Sequence, residues 1–202
     1  MKDSFLTITS ECTAEIKVNR SKFIASAFPV LNINDTKEIS ETADAFRKKY
    51  YDASHFPFAY RTGTDENNFR YSDDGEPSGS GGKPLLEVID KYGLTNLILI
   101  TARYFGGTKL GVGGLRRAFF SAGEECLKNA EAVRKFIMEK VKIEFDYGFI
   151  NAVMNLIESE KIDLIKNESA ETCVLNLEIK ISEAEKIKSR IVELTNGGVK
   201  FH

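Results

Sequence analysis

The chain has no tryptophan, only two histidines, three cysteines and four prolines among 202 residues, and basic and acidic side chains nearly cancel, at 28 against 30. Each scarcity excludes something. With only His55 and the terminal His202, and no Cys-x-x-Cys pair, a zinc site of ordinary His and Cys spacing cannot be assembled. Cys12, Cys126 and Cys173 are odd in number and irregularly spaced, which speaks against a disulfide framework and for reduced, packed thiols. No apolar run approaches the roughly 20 residues that span a bilayer, the longest strongly apolar piece being Leu97 to Ile100. The start, Met1-Lys2-Asp3-Ser4-Phe5, lacks the apolar stretch of a secretory signal, so a cytoplasmic location without a membrane partner is expected. A cut near residue 137 leaves 19 basic against 18 acidic residues before it and 9 against 12 after it. Any surface for nucleic acid must therefore be a local patch, not a basic domain.

What is present is an ordinary globular composition, 42% hydrophobic and 29% charged, long enough for two modest cores. Glu11–Val18 and Phe23–Val30 alternate as a hairpin, and Asp35 with Glu38 frames a helix whose apolar stripe is Ile39, Ala43, Phe46 and Tyr50. Phe56–Arg61 and Phe69–Ser72 read as strands, Asp73–Pro84 as a loop, and Leu85–Tyr92 as a helix with Pro84 in its first turn. Asn96–Thr101 carries a continuous apolar run, Leu97–Ile100, as befits a central strand covered on both faces. Gly111–Gly114 leads into a helix carrying Leu115, Ala118, Phe119, Ala122 and Cys126 on one side.

From Met138 the alternation Val141, Ile143, Phe145, Tyr147 marks a half-buried strand. A helix striped by Phe149, Val153, Leu156 and Ile157 follows, then a short strand at Ile162–Ile165, and Cys173, Leu175, Leu177, Ile179 and Ile181 alternate again. Ser182 and Glu185 suit a capping box for a last helix ending at Asn196-Gly197, before Val199-Lys200-Phe201. That order, βαββαβ, predicts a ferredoxin-like sandwich over 137–202 behind a first domain at 1–136, an α+β chain with no cofactor expected.

Chemistry should sit on the two glycine-rich segments, because glycine lets backbone wrap closely around a ligand. Gly106, Gly107, Gly111, Gly113 and Gly114 stand before a helix whose free N–H groups and positive dipole end suit a phosphate, with Arg103, Lys109, Arg116 and Arg117 adding charge. The same glycines could equally serve tight turns and helix packing. Asp73, Asp74 and Glu76 could in principle hold Mg²⁺, but aspartates before glycine commonly bond their own backbone, and no metal site is expected. His55 is either a surface ligand for phosphate or an inert edge residue; Ser78 would be a nucleophile only with His55 in reach. Arg61, Arg70, Tyr71, Lys83, Arg103, Tyr104, Phe105, Lys109, Arg116 and Arg117 interleave cations with rings, as RNA-binding surfaces do.

Tyr71-Ser72-Asp73-Asp74-Gly75-Glu76-Pro77-Ser78-Gly79 with Gly82-Lys83-Pro84, then Arg103-Tyr104-Phe105-Gly106-Gly107 and Leu110-Gly111-Val112-Gly113-Gly114-Leu115, resemble the signature of the YigZ/IMPACT family, the uncharacterised protein family 0029. The match begins at Arg20-Ser21-Lys22-Phe23-Ile24 and covers most of residues 15 to 130. The resemblance implies a first domain similar to the second domain of ribosomal protein S5 and a second similar to a ferredoxin-like domain of elongation factor G. Both resemble ribosome-binding modules, and together with the glycine-flanked basic and aromatic set the expectation is a translation-associated protein that binds RNA or the ribosome; the second domain's open sheet is the expected place for any protein partner. Where bacterial relatives often show two adjacent histidines, this chain has His55-Phe56. The S5-like fold is shared with small-molecule kinases that bind ATP at a glycine-rich loop, so an enzyme acting on a phosphorylated small molecule or nucleotide is the alternative; Lys109–Gly114 lacks the serine-rich continuation of that loop.

Overall fold

The first element of the computed structural model, which describes residues 3–31, 36–65, 67–167 and 172–202, is a strand that sequence periodicity does not announce: β1, Ser4–Ile8. It pairs with an equally unannounced β7, Ala132–Phe136, so a two-stranded ribbon gathers the start and end of the first compact unit, Phe5–Lys135. The second unit is Phe136–His202 together with the first four residues.

The first unit is built on a five-stranded sheet. β2, Cys12–Val18, and β3, Ser21–Pro29, form the expected hairpin, turning through Asn19 and Arg20, both with positive φ. β4, Phe58–Arg61, and β5, Phe69–Ser72, form a second. β6, Leu97–Tyr104, lies between the hairpins, giving the order β2-β3-β6-β4-β5 with every pairing antiparallel. Alternation along β6 separates two cores. Leu97 and Leu99 pack with Leu85, Val88 and Ile89 of α2, Gly82–Tyr92, and with Leu115, Phe119 and Ala122 of α3, Gly111–Lys128. Ile98, Ile100 and Ala102 face the other way, onto Ile39, Ala43 and Phe46 of α1, Thr36–Lys49. The continuous apolar run is thus explained by helices on both faces.

Several expected boundaries move. The central strand continues three residues past Thr101, because β3 goes on offering partners out to Lys22↔Tyr104. The loop expected to reach Pro84 stops at Gly81, where the Asp73 carboxylate accepts the amides of Gly81 and Gly82 and lets α2 begin at Gly82. Gly111–Gly114 do not precede α3; they are its first turn. The Asp35 cap lies outside the described residues.

In the second unit the order is β8 (Met138–Asp146), α4 (Ile150–Ser159), β9 (Asp163–Asn167), β10 (Thr172–Lys180), α5 (Ala184–Leu194) and β11 (Lys200–Phe201), and the sheet runs β11-β8-β10-β9. Val141, Ile143 and Phe145 of β8 and Cys173, Leu175, Leu177 and Ile179 of β10 point into one core with Val153, Leu156, Ile187 and Ile191 from the helices. Tyr147 does not continue the alternation: the Asp146 carboxylate accepts the Gly148 amide and starts a short 3₁₀ turn, leaving Tyr147 exposed. The Ser182/Glu185 capping box is not formed either, since α5 starts after Glu183 without a side-chain cap and the Glu183 amide bonds the Lys180 carbonyl. The chain is a mixed helix-and-sheet protein of the α+β kind. No helix among the described residues is long and apolar enough to cross a membrane.

Candidate anion-binding cavity between the glycine-rich segments

The extension of β6 decides the site. A strand alternates its side chains, so continuing to Tyr104 places Arg103 on the face of Leu97 and Leu99 and sends Tyr104 to the opposite one. Arg103 is therefore buried, 6% exposed, with its guanidinium between the Phe23 and Phe105 rings. Its Nη1 donates to Glu76 Oε1 at 2.5 Å, and Glu76 is buried as well. Two charges out of water are tolerable only when paired and hydrogen-bonded, and this pair ties the Asp73–Gly81 loop to the central strand. Yet Arg103 Nε has no hydrogen-bond partner among the described residues.

Arg103 also exchanges backbone hydrogen bonds with the 54–55 segment: its amide donates to the His55 carbonyl and its carbonyl accepts from Ser54. His55 becomes its cross-strand neighbour. The His55 Nδ1 lies 2.8 Å from the Asp74 carbonyl, which can only accept, so Nδ1 carries the proton and Nε2 has no hydrogen-bond partner among the described residues.

These residues wall a cavity of about 380 Å³. His55, Glu76, Pro77 and Arg103 line it together with Phe105, Lys109, Leu110, Gly111, Val112 and Leu115. The two glycine-rich segments therefore meet in space. Gly111, with φ +69, and Val112 bring the open N-terminus of α3 to the wall, and no side chain caps it. Lys109 is exposed and has no ion pair among the described residues. The lining combines an apolar surface with a cation, a histidine and free helix amides, the make-up of a small-ligand pocket.

The remaining candidates divide. Asp73 is structural, its oxygens accepting the amides of Gly79, Gly81 and Gly82 at 2.7–2.9 Å. Asp74 accepts the Phe56 amide at 2.7 Å. Both carboxylates hold the turn, and among the described residues no group of three or more His, Cys, Asp and Glu is placed to hold a metal ion. Ser78 is exposed on the loop and is not in the cavity wall. Arg116 is turned away from the cavity, donating to the Gly79 carbonyl and the Glu87 carboxylate, so it clasps α3 to the loop and to α2. Arg61 is engaged by Asp90, beside the Phe69 ring. Lys83 is exposed on the first turn of α2, and Arg117 is exposed on α3 beside Gly113.

Tyr104 donates to Asp52 at 2.7 Å; burial, then that bond, pushes its hydroxyl up to about 12. Gly106 is needed for space, since a Cβ there would lie 2.1 Å from the Arg20 carbonyl carbon, while Gly107 turns with φ +81 in the open. Sequence reasoning did not reach Pro77, Leu110, Val112 and Leu115, although their apolar side chains beside each glycine run were the available signal.

The sequence profile of the Impact N-terminal domain matches residues 19–127. The chain is 29% identical over 98% of its length to an IMPACT family member, YvyE, from Bacillus subtilis, covering 89% of that protein. It is 22% identical, again over 98%, to the IMPACT family member YigZ of Escherichia coli, covering 97% of it. A solved structure described only as that of a hypothetical protein superposes over all of this chain and 97% of its own, with a TM-score of 0.74 at 21% identity, a likeness of fold.

Proposed function

The chain belongs to the IMPACT family, and from that premise we propose that it is a cytoplasmic, translation-associated protein whose first unit binds RNA, free or on the ribosome, at the cavity between its glycine-rich segments. One observation carries the reading. The uncapped N-terminus of α3 and the partly unsatisfied, buried Arg103 line a single space. Helix N-terminal amides are unpaired by construction and sit at the positive end of the dipole, so an anionic oxygen there completes hydrogen bonds nothing else makes. Glu76 cancels much of the Arg103 charge, leaving Lys109 and the helix end as the attraction for phosphate. Phe105, 49% exposed, offers a ring on which a base can stack. Lys83 and Arg117, both exposed, are the further cations available to a longer strand.

The architecture supports a translational setting. A βαββαβ order with two helices packed into one sheet core supports reading the second unit as a ferredoxin-like sandwich akin to one in elongation factor G, and the first as akin to the second domain of ribosomal protein S5. Fold likeness alone does not assign activity, so the binding measurement decides.

Labelled single-stranded RNA titrated with the full chain should bind with an affinity that falls linearly on a log–log plot against salt, by roughly 0.7 for each phosphate engaged. Lys109→Glu with Arg117→Glu should weaken binding and flatten that slope. A salt-independent affinity, or no binding at low ionic strength, overturns the proposal. The second reading, an enzyme acting on a phosphorylated small molecule or nucleotide, draws on the free His55 Nε2 in a pocket of small-molecule size. It is favoured instead if mononucleotides raise the melting temperature and RNA does not.

A further inference from the structure

Cys12 and Cys126 lie 114 positions apart in sequence, yet their sulfurs are 3.3 Å apart in the first unit. Cys12 sits at the start of the edge strand β2 and is partly open to solvent; Cys126 is buried near the end of α3. The Cys126 thiol is also 3.2 Å from the Cys12 carbonyl, so both groups are held in register by the backbone. Neither cysteine belongs to the cavity wall, and the binding proposal uses neither.

We propose that Cys12 and Cys126 are a peroxide-sensitive dithiol that closes into a disulfide, reversibly tying the edge strand to α3. A disulfide needs sulfurs about 2.05 Å apart, so closure asks for a movement of roughly 1 Å. Roles follow from placement. The accessible Cys12 meets the oxidant, and the enclosed Cys126 resolves the product. The hydrogen bond shared with Cys126 lowers the Cys12 thiol below its ordinary value, whereas that same bond and then burial push Cys126 up. The thiolate is the reactive form, so Cys12 is the one to react first.

The oxidant required is a hydroperoxide. The Cys12 thiolate attacks hydrogen peroxide: an S–O bond forms, the O–O bond breaks, the sulfur gives up two electrons, and hydroxide leaves to take up the proton Cys12 has lost. The Cys126 sulfur then attacks the Cys12 sulfenic acid; the S–S bond forms, the S–O bond breaks, and the departing hydroxide carries away the Cys126 proton as water. Two thiols and one peroxide give one disulfide and two waters.

Treatment of the full chain with one equivalent of hydrogen peroxide should lower the titratable thiols from three to one. Mass mapping without reductant should recover a linked pair of peptides containing Cys12 and Cys126, and dithiothreitol should restore all three thiols. Cys173→Ala, in the second unit, should form the same link, while Cys126→Ser should accumulate a Cys12 sulfenic acid that dimedone traps. If Cys126→Ser does not fold, the wild-type mapping still decides. Three unreacted thiols, a Cys12 sulfinic acid with Cys126 untouched, or linkage through Cys173 overturns the proposal.

Discussion

Gly106 and Gly107 are adjacent, yet the molecule needs them for different reasons. At Gly106 the backbone of Arg20 passes so closely that an added methyl would stand 2.1 Å from the Arg20 carbonyl carbon and 2.2 Å from its oxygen. Backbone cannot give way as a side chain can. Gly107 has open space around it and a φ of +81, where alanine is only strained. Gly106→Ala should therefore cost about 3 kcal/mol as an overpacked position, and Gly107→Ala about 1 kcal/mol as a left-handed one. Urea midpoints of the two variants check the order, and equal losses would refute it. Asp73 shows the same logic in polar form: one carboxylate occupied by three loop amides serves the fold and is not free for a metal.

Between elements, the deciding contact is Arg103 of β6 with Glu76 of the loop. With side chains 7% and 2% exposed, removing one partner strands a largely desolvated charge. Glu76→Ala should destabilise the first unit by about 3–5 kcal/mol, whereas Arg116→Ala, which breaks a pair 38% and 40% exposed, should cost about 1 kcal/mol or less. Thermal or urea unfolding of both variants measures the difference. A comparable loss in each would mean that burial does not set the strength of these pairs. The contrast also bears on function: three arginines selected for their charge, Arg61, Arg103 and Arg116, are engaged with Asp90, Glu76 and Glu87, so the charge free to attract a ligand is carried by fewer residues than composition suggests.

Over the whole molecule, the apolar residues of the second unit form a cluster of their own, apart from the two clusters on either side of the five-stranded sheet. Leu175, fully buried in that cluster, is the place to probe their independence. Leu175→Ala should cost the second unit about 2–5 kcal/mol while leaving amide hydrogen exchange in β6 unchanged. Faster exchange in β6 would show that the two units unfold as one.

Local repetition is what an amino-acid sequence carries best. The strict alternation of β8 and β10, the helical stripes of α1 and α4, and the uninterrupted apolar run of β6 were legible because each repeats the period of its element against a core. The glycine-rich segments were legible as irregular turns, and folding brings residues of both to one cavity wall. Polar residues carry no such period. Three more residues of pairing with β3 turned Arg103 inward toward Glu76, a backbone crossing brought His55 beside it, and folding set Cys12 against Cys126. Those partners are distant along the chain, and only the tertiary structure could choose them, because a charge or thiol takes its role from the dielectric and the neighbour that folding supplies.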